Sequence, residues 1–217
     1  FGCADPFLMS GVGDYIREKG LYGTGINRKN LSMEQLEAEV IALLNPNRVA
    51  HVLGCRDCAM ELAKRYGENE TDAARAGLLH DITKAIDGPL QLTLCAEYGI
   101  VLDTFSKAYP KTLHALTGSL VAERIFGENE DVVRAICHHT TGRANMTLLE
   151  KIIYIADYVE RNRNFPGVEE MRAMAYTDLD RAVLMGLESA VAHVKRQGQG
   201  LAPATLEALE FLRNQNA

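Results

Sequence analysis

The sequence has no long hydrophobic run and no block of charge of one sign. No apolar stretch approaches the roughly 18 residues that a helix needs to span a bilayer, and no signal-peptide pattern is visible. Lysine and arginine are scattered along the chain, and the formal net charge is −6. These absences argue against a membrane protein and against a dedicated nucleic-acid binder, although a local group of cations could still bind a small anion.

Cysteine is scarce and gives no sign of a disulfide framework. Two of the five cysteines form a C-x-x-C arrangement, Cys55 to Cys58, but a structural zinc site would need a second pair at suitable spacing, and the sequence has none. An odd number of cysteines at low density is typical of a reducing compartment. We therefore expect a cytoplasmic protein in which the cysteines are ordinary helix or core residues.

Patterns typical of β-structure and of repeats are missing as well. No alternation of apolar and polar residues or Asn-Gly hairpin appears, and no repeat of about 20–50 residues stands out. Helical periodicity is present instead, with capping boxes at Ser32 and Thr147, and the mixed stretch 99–111 is predicted to be a loop because it contains Pro110. The chain is long enough for one large domain, which we predict to be an all-α, compact multi-helix bundle. The predicted helices are 33–44, 48–66, 71–81, 90–98, 112–126, 130–140, 148–160, 168–176, 178–195 and 203–214.

Histidines and carboxylates in these helices are the candidates for chemistry. His80 and Asp81 stand side by side at the end of an apolar helical run, and most of the other candidates lie on helices of their own, which suits convergence on the core of a bundle. Nitrogen and oxygen ligands without a thiolate suit one or two ions of iron, manganese or zinc, and Asp81 could bridge two ions with one oxygen to each. The candidate metal ligands are His51, His80, Asp81, His114, His139 and Asp157.

Each candidate also has a purely structural interpretation. A buried histidine is often a hydrogen-bonded core residue. Asp157 follows the apolar run 152–156, where a carboxylate is costly to bury without a partner. A metal ion would be such a partner, and so would an arginine, so the residues alone leave both possibilities open.

As a set, these residues resemble a known signature. The spacing of His51, His80-Asp81 and Asp157 over residues 48–160 is similar to the H…HD…D pattern of the HD-domain superfamily of metal-dependent phosphohydrolases. The additional histidines His114 and His139 resemble those of its dinuclear members. Over about residues 34–215 the chain resembles the bacterial HD-domain symmetrical bis(5'-nucleosyl)-tetraphosphatases. The segments that carry this closer resemblance are 48–51, 80–84, 139–146, 149–157, 165–168 and 203–208.

The resemblance implies cleavage of diadenosine tetraphosphate into two ADP, with iron commonly at the centre. Two metal ions would lower the pKa of a shared water, and the resulting hydroxide would attack the phosphorus beside the leaving ADP. We predict that one ion is held by His51, His80, Asp81 and Asp157, and the other by His114, His139 and the shared Asp81. His138 stands where the family often has an aromatic residue, but the following Thr-Thr-Gly aligns with His139, which we therefore expect to be the ligand.

Several polar residues near the ligands are expected to contact phosphate. The predicted catalytic residues are Asp81, as the shared metal ligand, and Lys84, which lies one turn after His80 and would stabilise charge on the phosphate oxygens. A solvated helix-end lysine is the alternative for Lys84. For Arg48 and Arg143, which are also predicted to bind phosphate, surface ion pairs are the alternative. By resemblance alone, residues 201–206 would form the nucleoside pocket. The predicted substrate-binding residues are Lys84, Arg48, Thr141, Gly142 and Arg143.

Two other functions remain open at this stage. The first is another HD phosphohydrolase, acting on nucleotide monophosphates, cyclic nucleotides or nucleoside triphosphates. The second is a non-catalytic HD regulatory module, although such modules tend to lose metal ligands, and this chain retains a full set.

The domain organisation predicted is a leader or linker over residues 1–31 and an HD-domain hydrolase over residues 32–217. Residues 12–22 resemble the C-terminal tail of bacterial nicotinate-nucleotide adenylyltransferases, and the first residue is Phe1 rather than methionine. A covalent fusion to an upstream adenylyltransferase domain is a further hypothesis. A homodimer is expected from the family resemblance alone.

Overall fold

The computed structural model of the protein describes residues 27–215. Within that range the regular structure is helical and contains no β-strand, which confirms the predicted all-α class. Within residues 27–215 no helix combines the length and the hydropathy of a membrane span. Residues 1–26, which carry most of the predicted leader and the stretch similar to an adenylyltransferase tail, lie outside the described residues.

The helices follow one another through short connections, and their bounds agree with most of the predicted ones to within a few residues. A 3₁₀ turn at Pro110–Leu113 leads into the sixth α-helix, and a π-helical turn at Ala122–Phe126 extends it. In chain order the α-helices are α1 (Met33–Leu43), α2 (Pro46–Tyr66), α3 (Glu70–Leu79), α4 (Gly88–Glu97), α5 (Thr104–Ala108), α6 (His114–Val121), α7 (Glu130–His138), α8 (Leu148–Val159), α9 (Val168–Ala175), α10 (Leu179–Arg196) and α11 (Pro203–Gln215).

The prediction of a loop over residues 99–111 was wrong, because that stretch contains α5 and the first half of the 3₁₀ turn. The Asp103 side chain accepts a hydrogen bond of 2.6 Å from the backbone N–H of Ser106 and so begins α5. Pro110 stands at the first position of the 3₁₀ turn, where its missing N–H costs nothing. The proline that was interpreted as a breaker therefore begins a turn.

Both predicted capping boxes are present. Thr147 Oγ1 accepts from the backbone N–H of Glu150 at 3.3 Å, and the Glu150 carboxylate accepts from the backbone N–H of Thr147 at 2.7 Å. Ser32 and Gln35 form the same reciprocal pair at the start of α1. Because the capping box fixes where α8 begins, it also fixes which of its residues face the neighbouring helices.

Helix α8 lies at the centre of the molecule. Its residues 152–156 are all fully buried, as expected of a helix that is apolar on every side, and it packs against α2, α3, α7, α9 and α10. Helices α2 and α3 approach each other closely at Gly77, where an added Cβ would lie 2.8 Å from the Cα of Arg56. This close contact brings the middle of α2 to the C-terminal end of α3. The expected core cysteines Cys55 and Cys58 are buried on α2.

Candidate metal centre

The fold brings the six predicted ligand residues into one cluster. His51 lies within α2, and His80 caps the C-terminal end of α3, with Asp81 in the turn that follows. The other three come from later helices: His114 begins α6, His139 caps α7 and Asp157 lies in α8.

One side of the cluster, which we call the first half, consists of His51, His80 and Asp157. His51 Nε2 lies 3.3 Å from His80 Nε2 and 3.1 Å from Asp157 Oδ1. His80 Nε2 lies 4.0 Å from the same carboxylate oxygen. The three groups are therefore close enough to share one ion.

The other side, the second half, consists of His114 and His139. Their Nε2 atoms are 3.2 Å apart, and both rings are almost fully buried. Thr140 Oγ1 lies 3.1 Å from each of the two nitrogens. The second half supplies fewer protein ligands than the first.

Asp81 joins the two halves. Its Oδ1 lies 3.4 Å from His114 Nε2 and 3.7 Å from His139 Nε2, and its Oδ2 lies 3.5 Å from His80 Nε2 and 3.7 Å from His51 Nε2. The carboxylate is 1% exposed, and among the described residues neither oxygen makes a hydrogen bond of normal geometry. Four imidazole nitrogens within 3.4–3.7 Å of this buried carboxylate form the kind of nitrogen and oxygen donor set that binds a divalent ion, so these residues fit divalent metal.

Three of the histidines are oriented by the same kind of hydrogen bond. The Nδ1–H of His80, His114 and His139 donates to the backbone carbonyl three residues earlier in each case, at 2.7–2.8 Å. This hydrogen bond fixes the tautomer and leaves an unprotonated Nε2 facing the centre. A ring prepared in this way is a ready metal ligand.

The electrostatics of the cluster keep these rings neutral. Burial, together with the neighbouring His139, lowers the pKa of His114 to about 2, and burial lowers the pKa of His139 to about 4. Burial also holds the pKa of His80 well below its usual value. Because only a neutral imidazole binds metal, the rings are ready for binding at neutral pH.

Asp157 has two kinds of partner. Arg163 forms an ion pair with its Oδ1, and Arg163 Nε donates to its backbone carbonyl at 2.7 Å. Burial alone would raise the pKa of Asp157, but the neighbouring His51 and the charge of the Arg163 guanidinium outweigh it and hold the pKa well below its usual value. Asp157 is therefore an anion, and the structure places both an arginine and the ligand cluster beside it.

Lys84 and Arg48, two of the predicted substrate-binding residues, also lie at the centre. Lys84 Nζ is 2.9 Å from His114 Nε2 and 3.7 Å from Asp81 Oδ1, and the Arg48 guanidinium forms an ion pair with Asp81 Oδ2. Burial lowers the pKa of Lys84 to about 8, so the ammonium is still protonated in most molecules at pH 7.

The segment 141–143 has internal partners. Arg143 Nε and Nη2 lie 3.0 and 2.8 Å from the two oxygens of the buried Glu150 carboxylate, and Thr141 Oγ1 donates to the Gly142 carbonyl. Gly142 has φ 64°, a conformation that favours glycine. This segment therefore has a role in ending α7 and bracing α8, and its contact with substrate stays a prediction. Its neighbour His138 is half-buried, and in the part of the chain that the structure describes it is the His139 nitrogen that joins the cluster.

Two residues of the centre were missed by the sequence analysis. Glu160 is 1% exposed, and its Oε1 lies 3.2 Å from His51 Nδ1. Its position three residues after Asp157 was the available signal, because residues at that spacing share a helix face. For Thr140 the sequence offered no signal beyond its place next to His139.

Comparison with known proteins gives a consistent result. The family model described as HD domain matches residues 48–162. The chain is 41% identical over 164 residues to the symmetrical bis(5'-nucleosyl)-tetraphosphatase of Halalkalibacterium halodurans, and the matched region covers 75% of this chain and 87% of that protein. It is 34% identical over 183 residues to the protein of the same name from Bacillus subtilis, covering 84% and 98% of the two chains.

Among solved structures, the fold is similar to the crystal structure of a predicted HD superfamily hydrolase involved in NAD metabolism from Clostridium acetobutylicum. The TM-score is 0.82 at 39% sequence identity, and the match covers 85% of this chain and 98% of that one. The similarity in sequence and in fold therefore extends over nearly the whole length of these relatives.

Proposed function

The chain belongs to the HD-domain family, and on that premise we propose that it is a metal-dependent hydrolase that cleaves diadenosine tetraphosphate and related dinucleoside tetraphosphates symmetrically. The observation that carries the proposal is the position of Asp81, whose two buried oxygens face separate sets of histidine nitrogens. Relatives that share most of the chain and are named for this activity support the choice of substrate.

In this mechanism the protein holds divalent metal and positions the polyphosphate. When bound, one or two metal ions supply a Lewis acid for the phosphate oxygens and lower the pKa of the attacking water. The six residues of the cluster are the proposed ligands, with Asp81 shared. Hydrolysis forms one bond from the water oxygen to a central phosphorus and breaks the bond from that phosphorus to the central bridging oxygen. Each ADP therefore leaves with two of the four phosphorus atoms.

The cations around Asp81 are proposed to act on the substrate. Lys84 Nζ and the Arg48 guanidinium both reach the Asp81 carboxylate, so phosphate oxygens that approach the centre would come within their range. There they would offset the negative charge that builds up as the central bond breaks. The contributions of Thr141, Gly142 and Arg143, and of a nucleoside pocket at residues 201–206, are proposed from the resemblance alone.

The metal is proposed to be iron, with manganese or zinc as alternatives. Four imidazoles and two carboxylates, with no thiolate among the proposed ligands, suit any of the three. Elemental analysis of protein purified without oxygen would identify the metal and its stoichiometry.

The test is turnover of diadenosine tetraphosphate by the full chain under anaerobic conditions with added Fe²⁺ or Mn²⁺, with the products separated by chromatography. We expect ADP as the product, no turnover from Asp81→Ala, and unchanged turnover from Asp131→Ala, whose side chain is exposed on α7. In ¹⁸O-labelled water, half of the ADP should carry one label.

Other outcomes would reject parts of the proposal. AMP plus ATP would keep a metallohydrolase but reject symmetrical cleavage. Metal binding without turnover would favour another HD phosphohydrolase, to be tested with nucleotide monophosphates, cyclic nucleotides and nucleoside triphosphates. A folded chain that binds no metal would favour a non-catalytic module.

We also propose, from the resemblance alone, a homodimer in the cytoplasm and a covalent fusion to an upstream adenylyltransferase. Sedimentation of the full chain would test the dimer. Reading the upstream coding sequence would test the fusion.

A further inference from the structure

Glu160, at the C-terminal end of α8, is a buried carboxylate whose two oxygens have separate partners. Oε1 accepts from His51 Nδ1 at 3.2 Å, and Oε2 accepts from the backbone N–H and the side-chain Nδ2 of Asn162 at 2.7 and 2.8 Å. Because a carboxylate only accepts, His51 must carry its proton on Nδ1. Its Nε2 is then free to face His80 and Asp157.

The surrounding chain holds this carboxylate in place. A Cβ added to Gly54, three residues after His51 on α2, would lie 2.2 Å from Glu160 Oε2, so only glycine leaves room for the carboxylate there. On the other side, Arg172 donates to the backbone carbonyls of Val159 and Glu160 at 2.7 and 3.1 Å. Glu160 is therefore pre-positioned.

His51 Nδ1 donates to a carboxylate, whereas the Nδ1 atoms of the other three histidines donate to neutral backbone carbonyls. A carboxylate partner makes an imidazole a stronger donor to a metal than a carbonyl does. The charges differ as well. The first half has Asp157 and Glu160 in addition to the shared Asp81, and Arg163 and Arg48 offset part of that negative charge. The second half has the Lys84 ammonium 2.9 Å from His114 Nε2.

We propose that Glu160 is a positioning residue for His51 and makes the two halves of the centre unequal, so that divalent metal fills the first half before the second. The inference rests on the metal centre of the proposed function. It adds an order of binding and a residue that sets it.

A purely structural role for Glu160 predicts a different result. Its contacts with Asn162 also close the turn after α8, and loss of that turn would weaken the whole bundle. In that case both halves would lose affinity together. The decisive quantity is therefore the affinity of each half, measured separately.

The experiment is a Mn²⁺ titration of the metal-free full chain, followed by calorimetry and by electron paramagnetic resonance. In the wild type we expect two classes of site, with the signal of isolated Mn²⁺ appearing before that of a coupled pair. Glu160→Gln should weaken the tighter class by about 10-fold or more and leave the weaker class within about twofold. The matched control is Glu128→Gln, which alters a buried carboxylate paired with Arg75 and should change neither class.

Further variants assign the classes. His51→Ala should remove the tighter class, and adding Glu160→Gln to it should change nothing more. His114→Ala should remove the weaker class and leave the tighter one. If Glu160→Gln does not fold, Gly54→Ala provides the same test, because its Cβ displaces the carboxylate without removing it.

Several outcomes would overturn the inference. These are two equal classes in the wild type, an unchanged tighter class in Glu160→Gln, or equal weakening of both classes. Each of them leaves the proposed function intact as long as the metal-loaded enzyme makes ADP. A chain that binds no Mn²⁺ in either half would overturn the inference and the metal centre of the proposed function together.

Discussion

Asp81 directs one carboxylate oxygen to each half of the centre, and this arrangement separates its role from that of the other carboxylate. The nearest ligand nitrogens to Asp157 Oδ1 are those of His51 and His80, at 3.1 and 4.0 Å, and Arg163 is its second kind of partner. The two residues have the same chemistry, so the difference between them is one of position. Substitution of each by asparagine keeps the size and removes the charge.

We expect Asp157→Asn to lower the bound metal from about two ions to about one per chain, and Asp81→Asn to lower it towards none, because Asp81 is shared. Elemental analysis of protein dialysed against a limiting chelator would measure this. Equal metal loss in the two variants would contradict a bridging Asp81.

Lys84 lies beside the ligands with its charge largely retained at neutral pH. We expect Lys84→Met to lower kcat/KM by about 100- to 1000-fold, as for loss of a group that stabilises transition-state charge, while Lys84→Arg recovers part of the rate. Steady-state kinetics with fully metal-loaded protein would test this. Unchanged turnover in Lys84→Met would leave the lysine as a solvated helix-end residue.

The cysteines of α2 provide a check on the interpretation of the C-x-x-C pair. Burial raises the pKa of the Cys58 thiol to about 12 and that of Cys55 well above its usual value. We therefore expect neither thiol to react with iodoacetamide at pH 8 in the folded protein and both to react in urea, as measured by peptide mass spectrometry. Fast labelling of Cys58 in the folded state would revive a redox role.

At the scale of secondary-structure elements, most of the bundle could be predicted because capping residues in the sequence mark where many of the helices begin or end. The capping boxes at Ser32 and Thr147 mark boundaries that the structure reproduces. The predicted helix ends at residues 66 and 126 are each followed by a glycine in the left-handed conformation, Gly67 and Gly127. The loop at 99–111 was misjudged because Pro110 both breaks and begins helical turns, and sequence alone did not decide between them.

The candidate site could be predicted only in part, and for a physical reason. Ligand residue types are visible in the chain, but the partner of each Nδ1 depends on local backbone geometry, and the contact between His51 and Glu160 joins α2 to the end of α8. Likewise, nothing in the sequence around Arg143 revealed that Glu150 would be its partner. Long-range pairs of this kind need the packed structure.

Gly77 determines how closely α2 and α3 pack. We expect Gly77→Ala to destabilise the protein by about 1–3 kcal/mol through overpacking against the backbone of Arg56. It should also lower metal affinity, because His51 and His80 move apart. The control is Gly99→Ala, which strains a left-handed residue with open space around it by about 1–2 kcal/mol and should leave metal affinity unchanged. Urea unfolding and Mn²⁺ titration measure the two effects, and equal affinity in both variants would contradict the prediction.

At the scale of the whole molecule, the centre draws its ligands from α2, α6, α7 and α8 and from the end of α3, so metal should stabilise the bundle as a unit. A ligand present at about 1000 times its Kd adds about 4 kcal/mol to the free energy of unfolding. We expect Mn²⁺ to raise the Tm, and EDTA to reverse the rise. Calorimetry of the wild type and of Asp81→Asn would test this. A rise of the same size in the variant would place the stabilising metal elsewhere.

The histidine orientations also differ in how far along the chain their partners lie. His80, His114 and His139 are each oriented by a carbonyl three residues away, so these rings can point correctly as soon as their own turn has formed. His51 depends on Glu160, which is 109 residues away, and it acquires its orientation only when the end of α8 docks on α2. During folding, the half of the centre that we propose to bind metal most tightly would thus be the last to become competent to bind it.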